Sequence, residues 1–133
     1  MGCKFRSVML IAFTCLLAAC KSNPGFHDIT SIFMNALKES NHQEAYDLLA
    51  PELQQEVGTV NEFRAWVEGN GLIPMEWRMI ESFLVAQGMI EQGKVTFQDR
   101  EELDFSFFMK EIGEGLIKIY KIQFGTIFLQ SQD

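Results

Sequence analysis

The hydrophobic period of the chain changes between Gly69-Asn70-Gly71 and Pro74, and that change restricts the fold more than any other feature. Ahead of it, Ile29, Ile32, Phe33, Ala36 and Leu37 recur at i, i+3, i+4, i+7 and i+8, so the spacing predicts an amphipathic helix from Asp28 to about Ser40-Asn41. Asn41 with Glu44 three residues later has capping-box spacing, and Ala45, Tyr46, Leu48 and Leu49 follow as a second, shorter helix. Pro51 suits the first turn of a third helix through Val57, which Gly58 closes. Thr59 and Glu62 repeat the capping spacing, and Val60, Phe63, Trp66 and Val67 form the apolar face of a fourth helix.

Beyond Pro74 the period falls toward two. Trp77 to Ala86 is the first strand expected, Gly88 and Gly93 punctuate the next stretch, and Lys94 to Gln98 is the second strand. Asp99-Arg100-Glu101-Glu102 makes a charged turn. Leu103, Phe105, Phe107 and Met109 then alternate with Asp104, Ser106 and Lys110, with Phe108 an apolar residue on the polar side. Gly113-Glu114-Gly115 supplies hairpin chemistry, and the last strand is expected from Leu116 to about Gln130, with a bulge or bend at Gly125. Helices first and antiparallel strands after predict an α+β domain over residues 26–133, its N-terminal helices packed on a curved sheet.

The first nineteen residues obey a different logic. Lys4 and Arg6 precede an apolar run from Val8 to Ala19 without an acidic residue, the layout of an export signal. The run falls short of the ~20 residues a membrane-spanning helix requires. Leu17-Ala18-Ala19-Cys20 resembles the lipobox of bacterial lipoproteins. The resemblance implies cleavage before Cys20, a diacylglycerol thioether on its sulfur and an acyl chain such as palmitate on its new amine. An ordinary secretory signal, the alternative, would prefer a small residue where Leu17 stands. Met1-Gly2-Cys3 imitates a myristoylation start, but Arg6 occupies the place that pattern gives to Ser or Thr. Residues 20–25 then form the lipidated cysteine and a short tether. The resemblance implies a location on the non-cytoplasmic side of a bacterial membrane, the outer membrane facing the periplasm in a Gram-negative cell, because Lys21 and not an aspartate stands immediately after Cys20.

Composition narrows the function classes. The chain carries a net charge of −7, and loss of Lys4 and Arg6 with the signal makes it about −9. Clustered Lys and Arg are absent, so nucleic acid is not an expected partner. Cys3 and Cys15 leave with the signal and Cys20 is blocked by lipid, so no thiol remains for a disulfide, a metal site or a nucleophile. His27 and His42 are the two imidazoles, without HExxH-like spacing, and no metal site or cofactor is expected. Asp99, Glu101, Glu102 and Asp104 lack the spacing and glycine of a calcium loop.

The domain resembles the NTF2-like, cystatin-like superfamily, and within it small envelope proteins of unknown function. The resemblance is carried by Ile32-Phe33-Ala36-Leu37, by the run from Asn41-His42-Gln43-Glu44-Ala45-Tyr46 to Pro51-Glu52-Leu53, and by Gly115-Leu116-Ile117-Lys118-Ile119-Tyr120. It implies a sheet folded over a long helix as a cone, with Phe33, Leu37, Phe63, Trp66, Trp77, Phe105, Phe107, Tyr120 and Phe124 as the expected pocket lining. The same side chains packed on one another as a core is the commoner fate of aromatic stripes. Tyr46, Asp47, His42 and His27 are the residues a catalytic site would draw on, yet adjacent Tyr46 and Asp47 face different sides of a helix, and no catalytic residue is assigned. The expectation is a lipid-anchored, non-catalytic binding or adaptor module for an unknown envelope protein. The alternatives are a carrier or sensor of a small apolar ligand, and an isomerase or dehydratase type of enzyme. Phe108 suggests a homodimer through the open sheet face.

Overall fold

A computed structural model describes residues 24–131. The signal segment 1–19, Cys20 and tether residues 21–23 lie outside the described residues, as do residues 132–133. Four helices come first: α1 (Phe26–Lys38), α2 (His42–Asp47), α3 (Pro51–Val57) and α4 (Val60–Gly69). Five strands come after them: β1 (Pro74–Val85), β2 (Gly88–Phe97), β3 (Glu102–Glu111), β4 (Ile117–Phe124) and β5 (Ile127–Gln130). The strands pair antiparallel in chain order, β1-β2-β3-β4-β5, so the sheet is open and the fold is α+β.

Local chemistry explains the helix starts. The Asp28 carboxylate accepts the Gly25 N–H at 3.1 Å, which starts α1 two residues before Asp28, where the apolar stripe places it. At α4 the capping box closes in both directions, Thr59 Oγ1 accepting the Glu62 N–H at 3.2 Å and Glu62 accepting the Thr59 N–H at 2.8 Å. Asn41 caps α2 by accepting the Glu44 N–H at 3.2 Å. The link between α2 and α3 is stitched to the sheet: Ala50 N–H donates to the Ile119 carbonyl, and Ile119 N–H to that of Leu48.

One face of the sheet, here the inner face, carries the helices. Phe97, Phe105, Phe107, Met109, Ile119, Ile122 and Phe124 point from it into a continuous core with Phe33, Met34, Leu37, Leu53 and Phe63. Phe107 stands edge-on to Phe33 at 5.5 Å and to Phe124 at 5.6 Å between ring centroids. Opposed pairs define rows across the sheet. Ser82, Glu91, Phe107, Ile122 and Leu129 form one inner row, and Glu81, Gln92, Ser106, Gln123 and Phe128 form the next row on the outer face.

Two expectations about strands are corrected. The second strand begins at Gly88 rather than Lys94, and the last is cut in two by a turn at Gly125-Thr126, where Gly125 has φ +61°. Gly93 is a ladder residue because nothing larger fits: a Cβ there would overlap the Arg78 carbonyl oxygen and come within 2.7 Å of the Phe105 ring. Gly93→Ala is therefore expected to lower stability by about 1–3 kcal/mol, read as a lower thermal midpoint with no loss of helix signal. A variant that melts with the wild type would show that the β1–β2 pair has room there.

Candidate functional site

The feature of the inner face that a packed core does not require is a carboxylate. Glu91 lies at the middle of β2 with its residue fully enclosed, between Ser82 of β1 and Phe107 of β3. Its oxygens accept the Thr30 hydroxyl at 2.6 Å and the Ser82 hydroxyl at 2.9 Å, and His27 Nδ1 meets the oxygen that Ser82 also uses. Thr30 is itself fully enclosed, whereas the His27 side chain is 65% exposed. Three elements thus converge on one buried acid: the first turns of α1, the end of β1 and the middle of β2. A buried carboxylate needs several donors in place of water, and here it has them.

Chemically, the cluster orients His27 with its other ring nitrogen free to face solvent and fixes the start of α1 against the β1–β2 hairpin. Reading the sequence misses Glu91 because Gly88 and Gly93 look like punctuation and the second strand is expected only from Lys94. The usable signal was Glu91 two positions from Gly93 and four from Val95, in step with the buried face of its strand.

The structure does not bring the other titratable candidates together. Tyr46 donates its hydroxyl to the Gly58 carbonyl at 2.7 Å and packs its ring on Phe63. Asp47 is exposed and accepts from Gln43 at 2.9 Å, and His42 opens α2, away from the Glu91 cluster. Among the described residues, no group of three or more His, Cys, Asp or Glu is placed to hold a metal ion.

Of the expected pocket lining, Phe33, Leu37, Phe63, Phe105, Phe107 and Phe124 are fully enclosed against one another, and Trp66 and Trp77 are half-buried against the same core. Tyr120 lies on the outer face, its ring 6.3 Å from that of Phe108 and under the Lys110 ammonium at 4.0 Å. A register shift between Phe108 and Met109, where β3 meets β4, breaks the inside-outside alternation of β4. Burial first, then the Glu52 carboxylate, raises the Tyr120 hydroxyl above its ordinary pKa, so it stays a neutral donor at physiological pH.

The outer face also holds a concavity of about 440 Å³, floored by Gln92, Ser106 and Gln123 and walled by Ile80, Glu81 and Asp104. It is open to solvent and offers amide and hydroxyl groups, able to donate and accept, beside the Glu81 and Asp104 carboxylates and the Ile80 side chain. Among the described residues no helix is long and apolar enough to cross a membrane. Comparison with family models, with curated proteins and with solved structures returned no match to this chain.

Proposed function

We propose that the chain is a lipid-anchored protein of the bacterial cell envelope that works as a binding module through the outer face of its sheet. The observation that carries this reading is the contrast between the two faces. The inner face is occupied by packed aromatic side chains, while the outer face presents the Gln92–Ser106–Gln123 floor beside Phe108, Tyr120 and Lys110. An amide-rich floor with carboxylate, aromatic and cationic neighbours suits a protein partner, because aromatic anchors in a polar, hydrogen-bonding rim characterise such surfaces. Helices on an antiparallel sheet are compatible with the NTF2-like architecture. The lipobox supports the anchor, and the five residues from Lys21 to Gly25 reach at most ~17 Å, which keeps the module at the membrane.

Two measurements test the reading. Mass spectrometry of the protein extracted from envelopes is expected to find Cys20 as the first residue, diacylated through sulfur and acylated on nitrogen; an unmodified Met1 start would end the lipoprotein part. A photo-crosslinker at Ser106 is expected to trap one envelope protein, and Gln123→Arg, in the same floor, to abolish that adduct. Equal trapping from Asn61 on the exposed side of α4 would mean that the outer face selects nothing.

A further inference from the structure

We propose that the tip of the β1–β2 hairpin, with the neighbouring β3–β4 turn, seats in the surface of a lipid bilayer. Residues 82–90, Ser-Phe-Leu-Val-Ala-Gln-Gly-Met-Ile, are nine consecutive positions without a charge in a chain that has 18 acidic and 11 basic residues. The tip is apolar on both faces of its strand: Phe83 and Val85 lie on the outer face and Leu84 on the inner, and they are 41%, 39% and 79% exposed. A half-buried strand would alternate, so this segment is built for apolar surroundings on both sides rather than for the domain's own core.

The chain enters the domain at that same end. In an antiparallel meander the β1–β2 and β3–β4 turns share one end of the sheet, and the β2–β3 turn lies at the other. Helix α1 runs opposite to β1: His27 and Thr30, in its first turns, meet Glu91 and so sit beside Ser82, whereas Lys38 at its far end reaches the Met75 carbonyl at the start of β1. Leu84 is two residues beyond Ser82, about 7 Å along the strand. The helix does not extend over it, which is why it is uncovered. Across β2, Gly88 packs on Lys110 near the end of β3, and the turn after β3 exposes Ile112 and Leu116 at 43% and 44%.

The tether determines the occupant. The inference rests on the lipid-anchor reading: five residues separate an acylated Cys20 from α1, so the end of the domain holding the start of α1 is the end that meets the bilayer. Around the β3–β4 turn Lys110 and Lys118 equal Glu111 and Glu114 in number. At the opposite end Asp99, Glu101, Glu102 and Asp104 are joined by Arg100 and by Arg78 and Lys94, which pair with Glu102 and Asp104, so the tether and not the charge selects the end. An uncharged apolar wedge beside a membrane anchor fits the headgroup–acyl boundary, where apolar faces bury about 5–10 Å deep.

The full chain is made in bacteria, extracted and reconstituted in phosphatidylethanolamine–phosphatidylglycerol vesicles, carrying an environment-sensitive fluorophore on Leu84→Cys, Leu116→Cys or Glu101→Cys. Labels at 84 and 116 are expected to shift to the blue and lose most of their emission to brominated lipids, and the label at 101 to do neither. An acylated, vesicle-bound chain whose label at 84 is as wet as that at 101 overturns the inference and leaves the anchor standing. The mass of the N-terminal peptide reads Cys20 separately. If Cys20 is unmodified, the anchor reading fails, and the inference that rests on it falls with it.

Discussion

Phe107→Ala should cost about 3–5 kcal/mol, the range for removing a buried ring from a core that cannot collapse around the gap. Phe107 is fully enclosed, with the rings of Phe33, Phe105 and Phe124 at 5.5, 5.2 and 5.6 Å. Those neighbours are anchored on α1, β3 and β4, so none is free to slide into the space. Against a total stability of roughly 5–15 kcal/mol the loss is severe, and the thermal midpoint should fall on the order of 15–30 °C. Phe128→Ala is the matched control. Its side chain is 59% exposed on the outer face of β5, and the change should stay within about 0.5 kcal/mol. A Phe107→Ala midpoint close to wild type would mean that the interior tolerates a void, and would revive a ligand-holding cone.

The two halves of the domain were unequally legible in the sequence. The helices announced themselves through local chemistry: the Ile29–Leu37 stripe, the Asn41–Glu44 and Thr59–Glu62 spacings and Pro51 each act within a turn of helix, so the chain alone carries the signal. The strands depend on distant partners. Gly93 looked like punctuation because its reason, the Arg78 carbonyl and the Phe105 ring pressing on it from both sides, is not local. Tyr120 is expected in the lining only through the superfamily resemblance, and the register shift where β3 meets β4 leaves it on the outer face beside Lys121. The partners of Glu91 explain why the polar cluster was the least visible feature. Thr30 is sixty-one residues away in sequence, and no spacing rule joins them.

The second large effect belongs to that acid. Glu91→Ala should cost about 2–4 kcal/mol, less through the lost side-chain volume than through the donors left behind. Thr30 is fully enclosed and has no water to turn to once the carboxylate is gone, whereas Ser82 is exposed and recovers solvent. His27, already mostly in water, adds little. The unequal exposure makes the origin of the cost testable by a double-mutant cycle. Thr30→Val removes the stranded hydroxyl with little change of shape, so Glu91→Met combined with Thr30→Val should be less damaging than the two single changes added, with a coupling of about 1–3 kcal/mol in chemical denaturation. Ser82→Ala should show much weaker coupling to the same Glu91→Met change. Because the cluster fastens the start of α1 to the β1–β2 hairpin, amide exchange should quicken first in residues 26–30 and 82–91 of Glu91→Ala, before any change in the Phe107 region. Additive losses and uniform exchange would instead mean that Glu91 merely fills space in the core, and that the end of the domain bearing the tether is held by its apolar contacts alone.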